Sequence, residues 1–322
     1  MADVQLNSAG RTAILRSDSG LHVAVLDIGA TLYSLKVPTP GGLTDVILSY
    51  DNVDDYRGDA YFIGTTVGPF ANRIRDAHFD LGGESFDLDA NELSTGHCLH
   101  GGREGLHRQI FELQADAASS SIKCYCELAD GHNGFPGNRT ITVVYQLLDE
   151  SSLAIDFHVT TDRDTVVSLA NHAYFNLGGA IDDHLLSIRA DEYTPIDSTH
   201  CATGEIRSVA GSVFDLRSLQ RIGTTPFDNN YILLQGEGGP GHAATLRSPV
   251  SGLQLDLHTT QPGLQFYTGD YLGTPFAPRQ GLCLEAQGFP NAPNQATFPS
   301  AQLSAGSTYS QRTIYGLSLV TP

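Results

Sequence analysis

Apolar side chains recur at every second position along much of this chain: Leu21, Val23 and Val25, then Ile141, Val143, Tyr145 and Leu147, then Leu153, Ile155, Phe157 and Val159, then Leu253, Leu255 and Leu257. A period of two puts each set on one face of an extended strand, whereas a helix needs recurrence near 3.6. Strands with one apolar face must bring those faces together. Glycine and proline clusters at 38–42, 133–137 and 236–241 punctuate the runs, and residues 149–152 join two alternating strands as a hairpin. Helical candidates are short, around Asn52 to Tyr56, and no strand–helix–strand rhythm suggests a parallel sheet. The pattern predicts an all-β protein with two antiparallel sheets packed face to face. No composition break, long linker or internal period divides the chain, so one domain over 1–322 is expected.

Composition narrows the partners. The formal charge is -18, from 36 acidic against 18 basic residues, and of the latter only Lys36 and Lys123 are lysine. Such a surface repels nucleic acid and anionic membranes, so neither is expected as a partner. The opening residues from Met1 to Asn7 have no basic head and no apolar core, and no apolar run is long enough to span a bilayer. A soluble, cytoplasmic protein is the expectation. Cys98, Cys124, Cys126, Cys201 and Cys283 form an odd set with no C-x-x-C pair, which argues for buried free thiols over disulfides or a zinc knuckle. Residues 236–241 satisfy G-x-G-x-x-G, but Pro240 and the lack of a following helix remove the helix N-terminus that would hold a pyrophosphate, so a loop is expected there. Signatures of a nucleophile elbow, a P-loop and a zinc protease are absent.

Chemistry concentrates in a few polar stretches. His172 stands between Asn171 and Asn176 in an apolar, aromatic run; its imidazole can exchange a proton near neutral pH, and the two carboxamides could orient a ligand beside it. The plain alternative is a hydrogen-bonded core histidine. His100 precedes two glycines on a tight turn, Arg73 offers a planar fork of donors, and Asp228 offers a carboxylate. Each has a structural alternative, as turn residue, ion pair and turn cap respectively. Glu285 lies in the run Gly281-Leu-Cys-Leu-Glu-Ala286, whose apolar neighbours would desolvate a carboxyl and raise its pKa towards the range of a general base. His97, Cys98 and His100 could be read as metal ligands, but their spacing matches no strong signature, and no metal is expected.

Read in order, seven stretches resemble the aldose 1-epimerase (galactose mutarotase) family. They are Gly-Ala-Thr-Leu at 29–32, Gly-Pro-Phe-Ala-Asn-Arg-Ile at 68–74, Leu-His-Gly-Gly at 99–102, Asp-Gly-His-Asn-Gly-Phe-Pro-Gly-Asn at 130–138, Ala-Asn-His-Ala-Tyr-Phe-Asn-Leu at 170–177, Gln-Phe-Tyr-Thr-Gly at 265–269, and Leu-Glu-Ala-Gln-Gly-Phe-Pro-Asn-Ala-Pro-Asn at 284–294. The resemblance implies a large antiparallel β-supersandwich that interconverts the α and β anomers of a free hexose without a cofactor, as a monomer or homodimer whose partner is a small-molecule sugar. Carried over by position, it implies Glu285 as general base, His172 as general acid and His100 beside it at the ring oxygen. Asn72, Arg73, Asp228 and Gln265 match sugar-binding positions. Three departures bear on sugar preference: Pro69-Phe70 replaces an arginine-like residue and an aromatic, Asn229 replaces a histidine, and no tryptophan follows Leu-His-Gly-Gly. A hexose 6-phosphate epimerase of the same fold would show an arginine cluster, for which Arg73 and Arg75 are the candidates near one site segment. A non-catalytic sugar-binding module would be expected to lack Glu285 or His172.

Overall fold

The alternating runs assemble into three large antiparallel sheets. The computed structural model describes residues 3–7, 11–234 and 239–320, and among these the regular structure is strand with short turns of 3-10 helix. The helix expected near Asn52 is the 3-10 turn Val53–Gly58, capped by the Asn52 side chain, which accepts from the Asp54 amide. All ladders between the strands are antiparallel.

A nine-stranded sheet runs Glu112–Asp116, Ser121–Leu128, Arg139–Leu147, Ser152–Thr161, Thr308–Leu319, Leu253–Thr259, Gly241–Arg247, Leu185–Ile188, Gln220–Arg221. The expected hairpin is there, with Leu147 opposite Leu153 and the Asp149 side chain accepting from the Ser151 amide in the turn. A six-stranded sheet runs Tyr174–Phe175, Leu282–Gln287, Gly263–Tyr267, Asp228–Leu233, Ala190–Thr194, Arg207–Ser208. The core between these two holds Phe157, Leu255, Leu257 and Tyr315 from one side and Phe175, Leu264, Phe266 and Leu284 from the other. The Phe175 and Tyr315 rings meet edge-on, 5.2 Å between centroids. Each such side chain removed from water contributes roughly 1.5–3 kcal/mol.

Two sheets were expected, and a third is present. Five strands from Asp3–Leu6 to Gly42–Asp45 form a meander in chain order. Its first strands lie against Glu112–Asp116 and Ser121–Leu128 of the large sheet. Alternation reports that a strand has one buried face; it does not report which sheet the strand joins. The five cysteines are buried and free. Of the stretch read as a glycine loop, Gly236 to Gly238 lie outside the described residues, and Gly241 opens a strand. A second apolar cluster, including Phe70, Ile74, Phe79, Phe135 and Phe289, supports the loops that reach over the six-stranded sheet. Those loops carry half of the candidate site.

Candidate active site

Every residue of the strand Leu282–Gln287 is buried, because the strand is covered on both faces. Leu282, Leu284 and Ala286 point into the core, so Cys283, Glu285 and Gln287 point the other way. Register extends this second face sideways: Glu285 is opposite Gln265, while Tyr267 is opposite both Cys283 and Asp228. Gln265 Nε2 donates to Asp228 Oδ1 at 2.7 Å. Three strands thus place Glu285, Gln265 and Asp228 on one polar floor. Alternation also turns Asn229 to the opposite face, in register with Phe266, so this departure does not touch the site.

His172 enters from the short connection between Ala170–Asn171 and Tyr174–Phe175. Its backbone is pinned on both sides, the amide to Thr65 O at 2.9 Å and the carbonyl to the Gly64 amide at 3.0 Å. Its Nε2 lies 3.8 Å from Glu285 Oε1, and its Nδ1 lies 3.5 Å from Cys283 Sγ. His100 comes from the opposite wall, where Cys98–Leu99 pairs with Arg73–Ile74. The Asn72 amide donates to His100 Nδ1 at 3.1 Å, and the His100 amide donates to Asn72 O at 3.0 Å. Since Nδ1 accepts, the neutral ring carries its proton on Nε2. The rings of His100 and His172 are edge-on, 5.2 Å apart, with Phe62 over both. Phe62, Asn72 and His100 all adopt left-handed backbone, at φ 59°, 62° and 52°. Such conformations are costly and concentrate at functional sites.

Asn72, Arg73, His100, His172, Asp228 and Glu285 line one cavity of about 150 Å³, walled by Phe62, Tyr174, Tyr267 and Tyr271. Its size suits a monosaccharide better than the drug-sized ligands of roughly 300–1,000 Å³ pockets. Gln265 is held to it through Asp228. All seven residues singled out in the sequence are therefore brought together. Sequence reasoning missed the aromatic wall and two supporting groups. Glu92 grips Arg73, accepting from Nε at 3.0 and 3.1 Å and from Nη2 at 2.7 Å. His200 accepts from Arg73 Nη1 through its backbone carbonyl at 3.3 Å. Neither belongs to a recognisable motif, and only the folded chain reveals them.

One expectation is corrected, and the rival metal reading loses a ligand. Asn171 and Asn176 do not orient a ligand: Asn171 Nδ2 donates to Gly64 O and Asn176 Nδ2 to Gln280 O, so both brace backbone. His97 has both ring nitrogens engaged, by the Asp76 amide and by Thr199 Oγ1, which leaves no free lone pair for a metal. A different trio, His100, His172 and Glu285, has ligand atoms within 4.8 Å of one another. That set is one ligand short, because the Asn72 amide at Nδ1 keeps a proton on the His100 nitrogen that would have to bind.

Burial dominates the electrostatics. It raises Glu285 well above the usual carboxylate range; the Asp228 charge adds to this and Arg73 opposes it. It pushes His172 down to about 4 and His100 well below its ordinary value. Asp228 is raised by burial and drawn back by Arg73 and Gln265. The site favours uncharged forms, and Glu285 with His172 forms a pair able to hold one shared proton.

Comparison with known proteins follows the same lines. A model of the family described as aldose 1-epimerase matches residues 11–316. An aldose 1-epimerase of Escherichia coli (strain K12) is 33% identical over 329 residues, covering 95% of this chain and 94% of that protein. A galactose mutarotase of Mus musculus is 35% identical over 325 residues, covering 95% and 93%. Among solved structures, an aldose epimerase homologue from C. elegans superposes with a TM-score of 0.90 at 30% identity, covering 100% of both chains. A galactose 1-epimerase from Lactobacillus acidophilus NCFM gives 0.85 at 26% identity over 100% and 99%.

Proposed function

The chain belongs to the aldose 1-epimerase family, and from that premise we propose that it interconverts the α and β anomers of free hexoses such as glucose or galactose, with Glu285 as general base and His172 as general acid. The observation that carries these roles is the buried carboxylate and imidazole 3.8 Å apart on one wall of a sugar-sized cavity. Glu285 takes the proton of the anomeric hydroxyl while His172 delivers one to the ring oxygen, so the C1–O5 bond breaks and an open-chain aldehyde forms. Both groups end this step uncharged, the state that burial favours, so desolvation draws the protons across. Rotation about C1–C2 presents the other carbonyl face, and reclosure with the transfers reversed gives the opposite anomer. His100 presents its Nε2–H as a hydrogen-bond donor at the ring oxygen. Asn72, Arg73, Asp228 and Gln265 fix the remaining hydroxyls, which holds the ring in place while it opens.

The phosphate reading loses its support: Arg75 turns away to Asp197 at 2.7 Å, and Arg73 is gripped by Glu92. With the epimerase reading goes a cytoplasmic location, a reducing compartment that suits five buried free thiols. Among the described residues no helix is long and apolar enough to cross a membrane. The test is polarimetry of freshly dissolved α-D-glucose and α-D-galactose. The protein should accelerate the approach to equilibrium of at least one; no acceleration of either overturns the proposal.

A further inference from the structure

The loop beyond strand Ala190–Thr194 brings a residue to the site from outside the sheets. At its centre the Asp197 carboxylate accepts from the amides of Thr199 and Cys201, at 2.8 and 3.4 Å, and from Thr199 Oγ1 at 2.5 Å, while Arg75 holds its other oxygen. Thr199 Oγ1 also receives the Nε2 proton of His97 at 2.9 Å, because His97 Nδ1 is taken by the Asp76 amide. This braced turn carries His200 at its tip, in left-handed backbone at φ 59°. The ring stands edge-on to Tyr271, 6.0 Å between centroids. His200 Nδ1 is buried, makes no hydrogen bond, and faces Asp228 Oδ2 at 3.8 Å.

Asp228 has reason to need that donor. Gln265 satisfies Oδ1, but the other neighbour of Oδ2 is Arg73 Nη1 at 3.9 Å, and the guanidinium is already committed to Glu92 through Nε and Nη2. A half-buried carboxylate served by a divided cation can swing about its Cβ–Cγ bond. We propose that His200 is a positioning residue for sugar recognition: when a hexose engages Asp228, the unpartnered His200 Nδ1–H closes the 3.8 Å gap to Oδ2 and holds the carboxylate at a fixed angle to the hydroxyls, which makes His200 a determinant of which hexose is accepted. The inference rests on the functional reading above, because it takes the ligand of Asp228 to be a hexose.

Two substitutions separate this from a merely structural role. His200→Gly removes the ring and relieves the left-handed backbone; His200→Asn places an amide nitrogen near the position of Nδ1 and tolerates the same backbone. Sugar affinity for D-galactose and D-glucose is measured by calorimetry beside the polarimetric rate. A hydrogen bond to a charged group typically contributes enough for about a tenfold change in affinity. His200→Gly should weaken binding about tenfold, leave kcat within about threefold, and shift the galactose-to-glucose affinity ratio, while His200→Asn restores most of the loss. In an Asp228→Asn background, His200→Gly should add less than about twofold. Parent-like binding by the glycine variant, no rescue by asparagine, a fully additive effect with Asp228→Asn, or collapse of kcat would each overturn the role. Calorimetry needs no turnover, so a parent that binds hexose with the expected His200 dependence but fails to accelerate mutarotation would sink the epimerase reading alone.

Discussion

Glu285 and His172 are each pushed by burial towards the uncharged form, yet the proposed mechanism needs only one proton between them. Neutral acid with neutral imidazole, and carboxylate with imidazolium, are two arrangements of the same proton count, and sugar binding needs only to shift between them. kcat/KM should therefore be bell-shaped. The acid limb comes from a second proton entering the pair, as pH falls towards the value of about 4 to which His172 is lowered. The basic limb comes from loss of the shared proton, above the ordinary carboxylate range because Glu285 is raised. Rates from pH 4 to 10, corrected for spontaneous mutarotation and checked for folding by circular dichroism, test this; a rate still climbing at the alkaline end contradicts the shared proton. Glu285→Gln keeps the volume but cannot hold the proton, and loss of a general base typically costs about 10²–10⁴-fold in rate. Calorimetric sugar affinity should stay within an order of magnitude while the rate falls towards background; a variant as fast as the parent would remove Glu285 from the mechanism. Glu285 was legible in the sequence as a carboxyl in an apolar run, though Leu284 and Ala286 face the core, and the desolvation comes from the covered second face. Asn171 and Asn176 misled because proximity in sequence to His172 is not proximity in space once a short strand turns their side chains to backbone.

At the scale of the element, the turn after Leu99 shows how a motif becomes geometry. Gly101 adopts φ 86°, and a Cβ there would lie 2.1 Å from the carbonyl oxygen of Gly68. The turn therefore packs directly on the backbone that leads to Asn72 and Arg73, and this contact sets the distance of His100 from the opposite wall. Gly101→Ala forces a side chain into left-handed backbone, at about 1–2 kcal/mol, and adds a backbone clash. It should lower the urea midpoint, and because a displacement of about 1 Å at a reacting group can cost roughly 10²-fold, it should also lower the polarimetric rate well beyond what partial unfolding explains. Stability and rate both equal to the parent would mean that the turn does not set the position of His100. That the turn was tight could be read from two glycines after a histidine. Its partner could not, because Gly68 lies more than thirty residues away and a carbonyl has no sequence signature. The same limit hid Glu92 and His200, whose value lies wholly in long-range contacts with Arg73 and Asp228.

The whole molecule joins its two halves through the last strand, Thr308–Leu319, which inserts between Ser152–Thr161 and Leu253–Thr259. Period-two alternation predicted the strands but not this order, since strand order is decided by pairing across the chain. Folding also buries five histidines among the described residues. His97, His100, His107, His172 and His184 are all lowered, with burial the largest cause, His172 to about 4 and His107 to about 3. A histidine depressed in the folded state and near 6.5 when unfolded contributes stability that is present above the unfolded value and lost as pH falls through the folded one. For His172 the difference corresponds to about 3 kcal/mol. Asp215, held down to about 2 by Arg217, and Glu92, held low by Arg73 and Thr95 against its own burial, act in the same direction at lower pH. Glu285 acts oppositely, contributing below its unfolded value and losing that contribution as pH rises through its raised one. Asp27, Asp59 and Asp228 are raised by burial as well and act as Glu285 does, but the five lowered histidines together with Asp215 and Glu92 outnumber these four carboxyls, so the urea midpoint should fall between pH 6.5 and 4. His107 offers the cleanest check, because its Nδ1 has no hydrogen-bond partner and its ring packs on the edge of Phe62, 4.8 Å between centroids. His107→Gln cannot take up a proton there, and its urea midpoint should drop less than the parent's over the same pH interval; equal slopes in the two proteins would mean that His107 is already charged in the folded chain, and that burial of this ring does not govern the acid sensitivity.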